Sequence, residues 1–257
     1  RLPMPASRVE PFALGGLSLD TRVVVAPMCQ YSATNGTPGE WHVMHLGSLA
    51  ISGASLVIVE ATGVEPEGRI TPSCTGLYSD ENEEAFGRIL AFCRSIAPAR
   101  LGIQLSHAGR KGSTVAPWEG GGPIEGPQAW VPDAPSAIPY LESWTPPNAL
   151  DEDGLARIRT AFADAAKRAA RVGFEYLELH CAHGYLLHQF LSPLTNARND
   201  EWGGPLENRM RFPLACFEAV REAFPDDLPV TVRVSATDWI PGGWDLEQSI
   251  AFAEALK

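Results

Sequence analysis

Short apolar, β-branched runs alternate along the chain with longer segments in which apolar residues recur every three to four positions. That alternation is the pattern of repeated βα units around a parallel sheet. The spacing predicts strands over residues 22–26, 55–60, 100–105, 175–180 and 229–235. Helical periods fill the intervals: 41–51, ending near Gly53, then a segment opened by an Asp80/Glu83 cap pair, then 155–172 and 207–224. A fifth helix opens at Asp245. In the second helix Phe86, Ile89, Leu90, Cys93 and Ile96 make the buried stripe, and Pro98 stops it. In the third, Leu155, Ile158, Phe162, Ala166 and Ala169 do so, with Gly173 as the stop.

Five βα units with near-continuous apolar strands predict an α/β chain of the (β/α)8 TIM-barrel type, since no G-x-G-x-x-G follows the first strand as a doubly wound dinucleotide fold would require. Three further units, on the order of 100 residues, are expected beyond Lys257. Residues 1–257 are thus expected to form one domain. Residues 108–150 interrupt the alternation with a Pro- and Gly-rich stretch that also carries Trp118, Trp130, Tyr140 and Trp144. So many aromatics predict an ordered excursion capping the barrel mouth and not a flexible linker.

Composition narrows the partners. The chain has 257 residues, 45% of them hydrophobic, and a net charge of −11, from 20 Lys and Arg against 31 Asp and Glu. Such a charge disfavours nucleic acid and anionic membranes. The longest apolar runs are strand-sized, short of the roughly 20 residues that span a bilayer. Five cysteines without a C-x-x-C pair suggest neither a disulfide framework nor a zinc ribbon, and a reducing cytoplasm is the expected compartment.

Chemistry in such barrels gathers at the C-terminal ends of the strands, where this chain places residues 26–31 with Met28, Cys29 and Tyr31, then Glu60-Ala61-Thr62, Gln104 and His107, then His180, His183 and Tyr185, and finally Arg233 with Asp238 and Trp239 beyond it. His180 and His183 admit three readings: zinc ligands, a structural pair, or donors to a substrate oxygen. Zinc needs further ligands, and Cys181, next to His180 on a strand, points to the opposite face; no metal is expected. A Schiff-base aldolase needs a Lys at a strand end, whereas the lysines are Lys111, Lys167 and Lys257. Gly120-Gly121-Gly122-Pro123 lacks a following helix and reads as loop, and His42, His45 and His188 read as structural.

Five segments resemble the Old Yellow Enzyme family: Ala-Pro-Met-Cys-Gln-Tyr (26–31), Gln-Leu-Ser-His-Ala-Gly-Arg-Lys (104–111), His-Cys-Ala-His-Gly-Tyr-Leu-Leu-His-Gln-Phe-Leu-Ser-Pro (180–193), Glu-Trp-Gly-Gly-Pro-Leu-Glu-Asn-Arg (201–209) and Arg-Val-Ser-Ala-Thr-Asp-Trp (233–239). The Cys after Pro-Met is similar to that of the thermophilic-like branch. Thr21, Cys181 and Trp202 depart from the pattern without removing a candidate group.

The resemblance implies an FMN-binding domain and an ene-reductase that passes hydride from NADPH or NADH, through flavin, to the β-carbon of an enone. It implies that Ala26, Pro27, Met28, Cys29, Ala61, Gln104 and Arg233 bind the cofactor, Arg233 stabilising negative charge on reduced flavin. His180 and His183 would polarise the substrate carbonyl, Tyr185 would protonate the α-carbon, and Tyr31 would add a hydrogen bond to the ligand. A homo-oligomer is expected. Two alternatives remain: a 2,4-dienoyl-CoA reductase-like enzyme with an iron–sulfur cluster motif beyond Lys257, and a non-catalytic flavin-binding module.

Overall fold

The computed structural model describes residues 9–257; residues 1–8 of the expected domain lie outside the described residues. The described residues open with an antiparallel hairpin, β1 (Phe12–Leu14) and β2 (Leu17–Leu19), that the hydrophobic pattern does not announce, because three-residue strands carry too little periodicity. Its turn needs Gly15 in the left-handed region, at φ +56°.

The predicted strands follow as β3 (Val24–Val25), β4 (Leu56–Gly63), β5 (Arg100–Ser106), β8 (Tyr176–Cys181) and β9 (Val230–Val234). They form one parallel sheet in the order β3-β4-β5-β8-β9. The first is shorter than the sequence suggests: it is an edge strand paired on one side only, and Pro27 has no N–H to extend the ladder. Two further short strands, β6 (Asp133–Ala134) and β7 (Asn148–Ala149), tie down the end of the 108–150 excursion.

Helices α1 (Glu40–Ala50), α2 (Asp80–Ile96), α3 (Glu152–Val172), α5 (Leu206–Ala223) and α6 (Leu246–Ala255) each follow a sheet strand and pack on one face, in sequential contact. A short α4 (Leu186–Leu191) follows β8 directly. The main core lies between sheet and helices, where Val57, Val59, Ile103, Leu177 and Leu179 meet Phe86, Ile158 and Phe162. The other face of the sheet carries Leu56, Ile58 and Tyr176, which pack with Leu17 and Leu19 of the hairpin into a second, smaller cluster.

Helix caps refine the sequence reading by a residue or more. Ser79, not Asp80, caps α2, its Oγ accepting from the Asn82 N–H at 3.2 Å. Glu83 is thereby released from the expected cap role and pairs with Arg168 and Arg171 of α3. Asp151 caps α3 through Gly154 N–H, 2.8 Å, so that helix begins before Leu155. Gly173 ends it as expected, at φ +95°.

Among the described residues β3 and β9 are the free edges, so the architecture is a half-barrel of five parallel strands. Every residue of β9 is half-buried, whereas those of β4 and β8 are buried. No described helix is long and apolar enough to cross a membrane.

Candidate active site

Parallel pairing puts residues in register on the same side of the sheet, and the register here builds three layers on the inner face. Ile58, Gly102 and Tyr176 form the lowest; a Cβ on Gly102 would fall 2.7 Å from the Tyr176 ring, so glycine makes room for it. Above them stand Ala61, Gln104, Glu178 and Thr231, and above those His180 and Arg233. A bulge in β4 between Val59 and Ala61 makes the middle layer possible. It takes Glu60 out of register and sets Ala61 beside Gln104.

The displaced Glu60 has its own task. Buried at 4% exposure, it accepts from Gln30 N–H at 2.9 Å and lies 3.0 Å from His42 Nε2. His42 Nδ1 accepts from Gly39 N–H, so the ring proton sits on Nε2 and is donated to Glu60. A helix residue and a strand residue thus clamp the loop that carries Met28, Cys29 and Tyr31. Tyr31 is held at φ +50°, its ring edge-on to Trp118 of the excursion at 5.4 Å.

On the far side β8 ends in a tight turn. His183 adopts φ +59°, its N–H donating to Ser235 Oγ at 2.9 Å and its carbonyl accepting from Lys111 Nζ at 3.0 Å. Of the five described non-glycine residues in the left-handed region, Tyr31 and His183 line this site, where strain is retained for geometry; Asn35, Ser113 and Trp239 are the others. The rings of His180 and His183 stand edge-on at 5.1 Å, and His180 meets Tyr185 at the same distance.

Between the two sides is a cleft of about 300 Å³ lined by Pro27, Met28, Cys29, Tyr31, Ala61, Gln104, His180, His183, Tyr185 and Arg233. It brings together every residue expected from the sequence except Ala26, which lines the space behind the loop with Gln30 and His42. A larger cavity, about 560 Å³, opens at the opposite end of the strands around Thr21, Ser55 and Arg100. It carries no imidazole or phenol and lies at the end that serves stability in such sheets.

The cleft's electrostatics favour neutral donors. Burial, then the charges of His183 and Arg233, push His180 down to about 3. Its Nδ1 accepts from Ala182 N–H at 3.2 Å, so the neutral ring carries its proton on Nε2. Burial and the Arg233 charge also lower His183, while burial raises Tyr185, Tyr31 and the Cys29 thiol, keeping all three protonated at neutral pH. Arg233 supplies a fixed cation that makes no hydrogen bond among the described residues; Glu178 Oε1 lies 3.8 Å from its Nη1. Gln104 Nε2 donates to the same Glu178 oxygen at 2.6 Å.

Sequence reasoning gave no site role to four of these partners. Glu60 stands among the strand-end residues of the sequence but without a role, and Glu178 sits on a strand read as an apolar run, although a carboxylate inside such a run is itself a signal. Lys111, counted only against the aldolase reading, stands with Nζ 4.7 Å from the Tyr185 ring. His188 reads as structural in the sequence, and its Nδ1 accepts from Gly184 N–H while Nε2 lies 3.0 Å from Asp238. Cys181 faces the core, away from His180, as the strand period requires.

The family profile described as NADH:flavin oxidoreductase / NADH oxidase matches residues 9–257. The chain is 43% identical over 262 residues to NADH:flavin oxidoreductase FG08077 of Gibberella zeae, covering 96% of this chain and 63% of that one. It is 39% identical over 249 residues to an NADPH dehydrogenase of Geobacillus thermodenitrificans, covering 96% and 68%. The chain therefore spans about two thirds of the length of these relatives. Morphinone reductase in complex with tetrahydroNAD superposes with a TM-score of 0.81 at 31% identity, covering 97% of this chain and 69% of that one. With the motifs, the half-barrel and the cleft in agreement, the chain belongs to the NADH:flavin oxidoreductase / NADH oxidase family, the family of the Old Yellow Enzymes.

Proposed function

We propose that this chain carries the flavin and substrate site of an FMN-dependent ene-reductase acting on α,β-unsaturated carbonyl compounds, in a domain of the (β/α)8 type capped by residues 108–150. The carrying observation is the convergence of two neutral imidazoles and a protonated phenol on one cleft, floored by Gln104 and Arg233.

The residues fit a flat, electron-accepting ring. Ala61 presents only a methyl group, Gln104 retains a carbonyl oxygen for a ring N–H, and Arg233 holds hydrogen-bond donors with no described protein acceptor. Pro27, Met28 and the neutral Cys29 thiol supply an apolar wall beside them. Bound FMN, reduced by NADPH or NADH, would supply the hydride delivered to the substrate β-carbon.

The chain's own groups would do the rest. His180 donates from Nε2, and His183 beside it, to the substrate carbonyl oxygen, stabilising the negative charge that develops there. Their depressed proton affinity keeps them hydrogen-bond donors without surrendering a proton to the oxygen. Tyr185 gives its phenolic proton to the α-carbon, and Tyr31 adds a donor from the opposite wall.

The test is spectroscopic: the protein should purify yellow, bleach anaerobically with NADPH or NADH, and regain colour on addition of cyclohexenone. Bleaching without reoxidation by any enone would defeat the reductase reading and leave the flavin-binding module.

A further inference from the structure

The middle layer of the inner face contains a carboxylate that no role assigned above requires. Glu178 is 9% exposed, and burying an ionised carboxylate is costly unless its oxygens are satisfied. Oε1 accepts from Gln104 Nε2 at 2.6 Å, and Oε2 lies 3.4 Å from the Tyr176 hydroxyl. That hydroxyl is 2.5 Å from Thr231 Oγ1, in the same layer on the next strand. The Tyr176 phenol is pushed up to about 12 by burial, so it remains protonated.

The ion pair with Arg233 is loose. At 3.8 Å and without a hydrogen bond, Glu178 opposes the guanidinium's charge but does not consume its donors. A carboxylate serving only to neutralise Arg233 would take the fork-on-fork geometry that arginine favours. Here the short bond goes to Gln104 instead. Since a carboxylate only accepts, it selects one of the two orientations of the Gln104 amide: Nε2 toward Glu178, Oε1 free on the other branch. A neutral residue of the same shape would hold either orientation.

We propose that Glu178 is a positioning residue that fixes the Gln104 amide and, by offsetting the Arg233 charge, lowers the reduction potential of flavin bound in the cleft. This rests on the flavin reading above. Reduced flavin carries the extra negative charge, so a fixed anion behind its cationic partner disfavours reduction, at separations where unit charges in a protein interact appreciably.

The experiment is a midpoint-potential titration of the FMN-loaded protein. E178Q removes the charge and retains an amide oxygen to accept from Gln104. Its potential should rise by about 30 mV, a tenfold shift toward the reduced form of a two-electron couple. E178D, which keeps the charge, should retain the wild-type potential. If E178Q does not fold, R233Q and R233Q/E178Q give the same comparison, since the double variant leaves no buried charge unpaired, and the double should have the higher potential. An unchanged or lower potential on removing the Glu178 charge overturns the proposal while flavin binding stands. A wild-type protein that holds no FMN overturns the flavin reading and this proposal with it.

Discussion

Lys111 Nζ donates to the carbonyl of His183 and stands 4.7 Å from the centre of the Tyr185 ring, so one ammonium group braces the turn that presents the proposed proton donor and lies against that donor's π-face. The same nitrogen is 5.2 Å from the Tyr140 ring, which belongs to the 108–150 excursion. Burial lowers the proton affinity of Lys111 and raises that of Tyr185. Each shift makes charge at this spot scarce.

The phenolate left when Tyr185 gives up its proton would therefore depend on Lys111 for stabilisation. K111M should slow flavin reoxidation by an enone about tenfold, as expected for loss of a partly desolvated cation–aromatic contact. Reduction by NADPH, which needs no proton from Tyr185, should change less. Stopped-flow measurement of both half-reactions checks this, and equal loss in both would show that Lys111 acts only on the fold.

His180 makes a prediction about acid stability. Its folded value, about 3, lies below the ordinary 6.5, so between these limits the unfolded chain binds the proton that the folded chain refuses. Stability should rise with pH through that window, by up to about 1.4 kcal/mol per pH unit from this group. It is lost progressively as pH falls below about 6.5. H180Q should flatten the slope of urea-unfolding free energy between pH 4.5 and 6.5 while leaving the pH 8 value closer to wild type.

Glu60 holds the loop of residues 27–31 through Gln30 N–H and His42. E60A leaves both donors buried without an acceptor, at a cost of about 1–3 kcal/mol each for unmet hydrogen-bonding groups. Weaker FMN binding is expected together with the lower melting temperature, because Met28 and Cys29 ride on that loop. E60Q keeps the acceptor for Gln30 and should recover most of both, which equilibrium dialysis and calorimetry would establish.

Gly109 is irreplaceable on two counts. It sits at φ +57°, and a Cβ there would fall 2.3 Å from Gln189 Oε1. Gln189 is fully buried and donates to the carbonyls of Ala108 and Gly184, joining the third and fourth strand ends. G109A should lower stability by about 1–3 kcal/mol, or several degrees in Tm, by thermal unfolding. An unchanged Tm would show that the Gln189 network yields without cost.

Local pattern was enough to expose the alternation of strands and helices, the stops at Pro98 and Gly173, and the cluster at the strand ends, because each depends on period, on proline's missing donor or on glycine's freedom at one position. The motif segments likewise placed His180, His183, Tyr185, Gln104 and Arg233 on one rim. The β4 bulge was invisible, since it depends on how β5 pairs with its neighbour and on Glu60 finding Gln30 and His42, neither of which leaves a periodic trace. The same holds for Lys111, 72 residues from the His183 carbonyl it binds, and for Glu178, which reads as one polar residue in an apolar run. Sequence alone determined which residues gather at the strand ends; tertiary pairing decided which of them share the cleft and how they are oriented and charged, because hydrogen-bond partners and desolvation come from strands brought side by side.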